Sequence, residues 1–157
     1  MISIRKATKN DVKMILSLIK ELAVYEKLEE QVVANESMLE THLFGEHKVA
    51  EALIADYDSI SVGLALFFTN FSTFLAKPGI YLEDLFVKPE FRGKGIGKKL
   101  LLELVKIAKE RDYGRVEWAV LDWNEPAINF YKSLGAKAQD EWTVFRIQKE
   151  YFNELLR

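Results

Sequence analysis

Cysteine is absent from the 157 residues, and histidine occurs only as His42 and His47. Without thiols the chain can form no disulfide, use no cysteine nucleophile and offer no cysteine ligand to zinc or an iron–sulfur cluster. Two histidines alone exclude a three-histidine zinc site. We interpret both as core or surface residues, and the sequence predicts no metal centre.

The chain also lacks a long apolar run and an excess of positive charge. Its longest apolar stretch, residues 62–68, is far shorter than the roughly 20 residues of a membrane helix. Residues 1–13 lack the apolar segment of a secretory signal. Lysine and arginine number 22 against 24 acids, which argues against binding to duplex nucleic acid. We therefore expect a cytoplasmic protein, with no membrane partner, that acts on small molecules or on other proteins.

The charges are unevenly distributed along the chain. Residues 26–46 contain six acids and one lysine, whereas residues 88–115 contain nine bases and four acids. Such runs are often simply the solvated faces of helices. The alternative is an acidic wall for a cationic ligand and a basic rim for a phosphorylated one.

The hydrophobic pattern predicts one mixed α/β domain over residues 1–157. Hydrophobic residues make up 49% of the chain, as in a globular protein with a substantial core. Pro78 and Gly79 are expected to break the chain before the fourth strand, and Gly114 to close the long helix. Periodicity predicts helices at 12–22, 37–43, 96–111, 127–134 and 149–156, and strands at 2–4, 48–55, 60–69, 80–87, 116–121 and 143–147.

A glycine-rich turn lies between the fourth predicted strand and the long helix. Residues 92–97 read Arg-Gly-Lys-Gly-Ile-Gly. Glycine permits positive φ and close backbone approach, so several N–H groups can converge on a pyrophosphate at a helix N-terminus. Neither the Walker A spacing nor the dinucleotide-binding spacing fits this segment. We predict a phosphate-binding turn, with a purely structural turn as the alternative.

Three blocks together carry a family resemblance. They are Glu-Asp-Leu-Phe-Val at 83–87, Arg-x-x-Gly-x-Gly at 92–97 and Asn-x-x-Ala-x-x-Phe-Tyr at 124–131. The chain thereby resembles the GNAT superfamily of acetyl-CoA-dependent N-acetyltransferases, and in particular its spermidine/spermine (diamine) acetyltransferase branch. The resemblance spans nearly the whole chain. It implies a single α/β domain with a mixed, mostly antiparallel sheet flanked by helices, a homodimer, and acetyl-CoA as co-substrate.

The resemblance also implies where acetyl-CoA binds. The strand before the turn would pair with the pantetheine arm, the turn would hold the pyrophosphate, and the segment from residue 124 would line the CoA arm. The implied residues are Leu85, Phe86, Val87, Arg92, Gly93, Lys94, Gly95, Ile96, Gly97, Lys98, Asn124, Pro126, Ala127 and Tyr131.

Two residues match the family's catalytic positions. Tyr131 would be the general acid that protonates the leaving thiolate, since a phenol can supply a proton at neutral pH. Glu83 would be the base that takes a proton from the substrate ammonium, through water. Alternatively, Phe130 and Tyr131 form only an aromatic helix face packed on the sheet. The chain has no cysteine to carry an acetyl group, so we expect direct attack in a ternary complex.

The acceptor is implied to be a small cationic amine, contacted by Tyr25, Glu26, Glu83, Asp84 and Trp118. A solvated loop is the alternative for Tyr25 and Glu26, a salt bridge or turn anchor for Asp84, and a core position for Trp118. The polyamine enzymes carry Asp-Pro-Trp where this chain has no carboxylate, at 70–75, and residues 119–124 look more like the thialysine acetyltransferase relatives. We therefore expect a short diamine or a lysine-like amine rather than spermine. The rival functions are acetylation of a protein or peptide amine and a CoA-binding module without catalysis.

Overall fold

The computed structural model describes all residues, Met1–Arg157. They form two compact units, Met1–Ala119 and Val120–Arg157. The first unit contains the whole sheet and three of the five α-helices. A single functional domain over residues 1–157 stays a prediction.

The first unit is built on a five-stranded sheet with strand order β1-β2-β3-β4-β5. Neighbouring strands are antiparallel except β4 and β5, which are parallel, so the predicted mixed, mostly antiparallel sheet is confirmed. The strands are β1 Ile2–Lys6, β2 Glu51–Tyr57, β3 Ile60–Ser72, β4 Lys77–Val87 and β5 Val116–Trp118.

Helices cover both faces of this sheet. The helices are α1 Val12–Tyr25, α2 Glu36–Phe44 and α3 Ile96–Glu110, with short 3-10 turns at Lys9–Asp11, Glu29–Gln31 and Pro89–Phe91. Apolar side chains of α1 and α2 form one core with Leu64, Leu66 and Phe86. On the other face, the Leu100 side chain of α3 lies 3.3 Å from the place a Cβ on Gly63 would take. No helix combines the length and the apolar content that crossing a membrane requires.

An ionic network fixes the β2–β3 hairpin to the start of the chain. The Arg5 guanidinium donates to Asp56 at 2.7 Å and to both carboxylate oxygens of Asp11, at 2.8 and 3.0 Å. The hydroxyl of Ser61 donates to the other oxygen of Asp56 at 2.6 Å. Arg5 also holds the pKa of Asp11 below its usual range. Tyr57, the residue after Asp56, is thereby held at the end of β2.

Two predictions in the first unit are wrong. Pro78 and Gly79 do not break the chain but lie inside β4, opposite Phe71 and Asn70. Gly114 does not supply a left-handed helix end, because that conformation belongs to Asp112, with φ 55°. A side chain at position 114 would instead collide with Leu75, whose Cδ1 lies 2.9 Å from the place of a Cβ. The fifth strand is also shorter than predicted.

The second unit contains α4 Glu125–Ser133, a 3-10 turn at Lys149–Tyr151 and the short α5 Phe152–Leu155. The predicted strand at 143–147 is wrong, because these residues have no ladder partner and no regular structure. Their alternating apolar pattern is present, but Val144, Phe145 and Ile147 are exposed. The predicted helix at 149–156 is divided between the 3-10 turn and α5.

Candidate functional site

A β-bulge in β4 sets the geometry of the site. Leu66 and Phe67, consecutive on β3, oppose Asp84 and Leu82, so Glu83 is the extra residue. Opposed residues share a face, which places Asp84 with Leu66 on the α1 side and Leu82 with Phe67 on the other side. Glu83 is exposed.

Three predicted acceptor residues form an acidic cluster, defined as Glu26, Glu83 and Asp84. Burial, followed by the charges of Glu83 and Glu26, raises the pKa of Asp84 to about 6. Glu26 follows the last residue of α1, and burial raises its pKa as well. Carboxylates held in a poorly solvated place attract a cation more strongly than carboxylates in water do.

Arg92 connects the glycine turn to the end of α1. Its Nε donates to the Val87 carbonyl at 2.9 Å. Its guanidinium carbon lies 4.5 Å from the centre of the Tyr25 ring and 5.6 Å from that of Phe86. The predicted cofactor residue Arg92 and the predicted acceptor residue Tyr25 are thus in direct contact.

The glycine turn has the conformation and the open space that a pyrophosphate requires. Gly93 and Gly95 have φ of 76° and 81°, and no atom lies within 4 Å of where their Cβ atoms would be. The first intrahelical bond of α3 runs from Lys99 N to Gly95 O at 3.0 Å. The three preceding N–H groups, of residues 96–98, therefore remain at the helix N-terminus for an anion.

Aromatic side chains support the same turn from the β2 side. The Lys94 ammonium lies 5.4 Å from the centre of the Tyr57 ring. That ring is 5.5 Å from the ring of Phe91, in the 3-10 turn before the glycines. The Arg5 network that holds Tyr57 thus also supports the position of Lys94.

Residues 83–87 of β4 have a free edge. β5 pairs with β4 only from Ile80 to Leu82, so the ladder ends before the bulge. On the other edge, Lys88 N donates to Val62 O at 2.9 Å. Because alternate residues of an antiparallel strand direct their N–H groups to the same neighbour, those of Leu85 and Val87 point to the free edge. These amides can bind an extended polar chain.

The remaining predicted cofactor residues lie in the second unit. Asn124 caps α4, since its Oδ1 accepts a hydrogen bond from Ala127 N at 3.4 Å. Pro126 occupies the first turn, where its missing N–H removes no helix bond. Tyr131 lies in the last turn of α4, and its ring centre is 5.5 Å from that of Phe130.

Trp118 ends β5 opposite Leu82 and is partly buried. Sequence reasoning missed its neighbour Glu117 and the residue opposite, Tyr81. Burial and the charges of Glu83 and Glu117 raise the pKa of Tyr81, so both carboxylates act on this phenol. The sequence signal that could have found Tyr81 is the alternation of strand residues, which places residues 79 and 81 on one face of the sheet.

Comparisons with known proteins identify the family and the fold. The model for the acetyltransferase (GNAT) family matches residues 16–136. Thialysine N-epsilon-acetyltransferase of Sus scrofa is 39% identical, over 97% of this chain and 95% of its own length. L-ornithine N5-acetyltransferase of Arabidopsis thaliana is 36% identical, over 92% and 83%. An integron cassette protein from the mobile metagenome of V. cholerae has a TM-score of 0.82 and 28% identity, over 99% and 98%. The family resemblance and the fold class are confirmed.

The buried charge of Asp84 predicts a pH dependence of stability. Because its pKa is raised to about 6, the folded protein keeps this proton to higher pH than the unfolded chain does. The free energy of unfolding should therefore fall as the pH rises from about 4 through 6, by about 2–3 kcal/mol from this group. Asp84→Asn should remove that fall, as denaturant titrations at pH 4, 5, 6 and 7.5 would measure. Glu110→Gln, an exposed change on α3, is the matched control, and a fall in Asp84→Asn equal to that of the control would contradict the assignment.

Proposed function

Because the chain belongs to the acetyltransferase (GNAT) family and is an amine N-acetyltransferase, we propose that it transfers the acetyl group of acetyl-CoA to the primary amine of a small cationic acceptor. GNAT enzymes use acetyl-CoA as co-substrate, and two relatives are named for thialysine and L-ornithine, both amino acids with a terminal amine. The observation that carries the proposal is the free edge of residues 83–87. It joins the glycine turn at one end to the acidic cluster at the other.

The chain's own groups suit acetyl-CoA. N–H groups of the glycine turn and of the first turn of α3 hold the pyrophosphate, and Lys94 and Lys98 add charge around it. Leu85, Phe86 and Val87 supply the strand for the pantetheine arm, with N–H groups of Leu85 and Val87 free on the open edge. Asn124, Pro126 and Ala127 line the arm at the start of α4. Arg92 positions the turn against Tyr25.

The acidic cluster and Tyr25 take the cationic acceptor. A primary ammonium has no lone pair, so it must lose a proton before attack, and Glu83, the exposed member of the cluster, accepts that proton through water. The amine nitrogen then forms a bond to the acetyl carbon as the carbon–sulfur bond breaks. An N–H group of the strand stabilises the carbonyl oxygen. Tyr131 protonates the departing thiolate, and Trp118 walls the amine channel.

This mechanism needs no acetyl-enzyme, and the chain has no cysteine to form one. A homodimer and a cytoplasmic location stay predictions from the family resemblance. Acetylation of a basic peptide remains the rival acceptor, because an acidic cluster would attract a lysine side chain as well. A CoA-binding module without catalysis is the rival function.

Thiol release from acetyl-CoA tests the proposal directly. The panel is thialysine, lysine, ornithine, putrescine, spermidine, spermine and a basic peptide. We expect saturable turnover on lysine-like amines or short diamines, above that on spermine and the peptide, with intersecting initial-velocity plots. Higher turnover on the peptide than on the free amines would make a protein or peptide amine the acceptor instead. Tight CoA binding with no turnover on any amine would favour the binding module.

Gly95→Val tests the turn. Valine at a φ of 81° is strained and places its side chain in the open space, so the Kd for CoA should rise at least about tenfold. Isothermal titration calorimetry measures this. Gly135→Val is the matched control, because Gly135 has φ 88° and equally open surroundings but lies outside the turn. Equal Kd values in the two variants would make the turn merely structural.

Tyr131→Phe tests the general acid. Removing the hydroxyl should lower kcat about 100-fold or more, as typical of acid catalysis, with little change in the Kd for acetyl-CoA. Steady-state thiol release and calorimetry measure the two quantities. Tyr113→Phe removes a phenol that contacts only Thr69 and Arg111, so it serves as the control. Unchanged kcat in Tyr131→Phe would remove this residue from the mechanism.

A further inference from the structure

The sheet face that carries Asp84 continues to a second polar group. Because of the bulge, odd-numbered residues of β4 below Glu83 lie on the same face as Asp84. Opposed pairs on this face are Leu66 with Asp84, Phe68 with Tyr81, and Asn70 with Gly79. In β5, Glu117 is level with Tyr81, and Arg115 lies on the same face one alternation earlier.

The side chains of Arg115 and Glu117, called here the distal pair, form an ordered polar group with the side-chain amide of Asn70. Arg115 Nε lies 2.8 Å from Glu117 Oε1, and Asn70 Nδ2 donates to the same oxygen at 3.4 Å. The side chains of Arg115 and Glu117 remain 44% and 35% exposed, so a ligand can reach them. Gly79 makes the arrangement possible, since a Cβ there would lie 2.7 Å from Asn70 Oδ1 and 3.0 Å from the backbone carbonyl oxygen of Arg115.

An aromatic floor joins this group to the acidic cluster. The rings of Phe68 and Tyr81 lie 5.1 Å apart and are inclined by 31°. Both residues are partly buried and stand between Asp84 and the distal pair in the strand register. Such a surface suits a short methylene chain, whose two ends would then meet charged groups.

The spacing matches a lysine-like molecule. Glu83 is the extra residue of the bulge, so it lies about one and a half ladder positions, or about 5 Å, from Tyr81 along the strand. Glu117 lies one strand further across, so the span is about 7 Å. The terminal and α-nitrogens of ornithine or lysine are five or six bonds apart, roughly 6–8 Å in an extended chain. A terminal amine at Glu83 thus brings the α-carbon of the acceptor to the distal pair.

We propose that the acceptor is an α-amino acid with a terminal amine, whose α-carboxylate binds Arg115 and whose α-ammonium binds Glu117. The inference rests on the proposed function and specifies its acceptor class. A zwitterion aligned against an Arg–Glu pair satisfies both charges, with the carboxylate on the guanidinium and the ammonium on the carboxylate. A simple diamine has nothing to offer Arg115. Asn70 acts as a positioning residue, since it orients Glu117.

Matched acceptors test each contact separately. Putrescine is ornithine without the α-carboxylate, and 5-aminopentanoate is ornithine without the α-ammonium. We expect the wild-type kcat/KM for ornithine to exceed that for either analogue at least about tenfold. Arg115→Gln should abolish the preference over putrescine by lowering kcat/KM for ornithine. Glu117→Gln should abolish the preference over 5-aminopentanoate. The pair lysine and cadaverine repeats the Arg115 test with a longer chain.

Lys106→Gln is the matched control for loss of one positive charge, since Lys106 lies on α3 and contacts only Glu103. Circular dichroism establishes that each variant is folded. Either of two results would overturn this inference and leave the proposed function standing. The wild type could turn over amines without a preference for ornithine, or both site variants could retain that preference. Turnover on no amine at all would overturn the proposed function, and the inference with it.

Discussion

The extra residue at position 83 of β4 is the constraint on which the arrangement of the site depends. Without it, Leu82, Asp84 and Phe86 would share one face of the sheet. With it, Leu82 packs on the α3 side, while Asp84 and Phe86 face α1, where Tyr25 and Glu26 lie. The bulge at Glu83 begins where the β4–β5 ladder ends, directly after Leu82. One insertion therefore turns a carboxylate toward the acceptor side where strand amides become free.

Positively charged side chains of the glycine turn and carboxylates of β4 lie close together in the chain, yet they do not pair with one another. The glycine turn and the start of α3 present N–H groups and lysines, whereas Glu83 and Asp84 of the acidic cluster lie a few residues earlier in β4 and Glu26 follows α1. Arg92 stands between them, with its guanidinium on Tyr25 and Phe86 and its Nε on the Val87 carbonyl. Because aromatic faces favour a cation, this guanidinium is held away from the acids without an ion pair. Anionic and cationic ligands can thus occupy adjacent places.

Sequence patterns predicted the structural features that depend on residues close together in the chain. The helix starts at 96 and near 12 and the glycine turn were evident from periodicity and from glycine and proline positions, whereas the mixed sheet was implied by the family resemblance. The bulge was not evident, because a strand with both faces covered by helices carries no strict alternation of apolar and polar residues that an extra residue would visibly break. The segment 143–147 has strand-like alternation, yet a strand exists only with a ladder partner, which no local pattern specifies. The sequence predicts a break at Gly79, but this residue lies inside β4, where a Cβ would clash with the Asn70 side chain and the Arg115 carbonyl.

The buried charge of Asp84 also bears on how a product leaves. Acetylation converts a cationic ammonium into a neutral amide, which gains little from nearby carboxylates. In the proposed reaction the acidic cluster would therefore bind the acceptor more strongly than the product. Once the cation is gone, Asp84 is again a partly buried acid beside two like charges, and it can recover its proton from water. Loss of the positive charge on the amine would thus weaken binding of the product, and product release would need no conformational change.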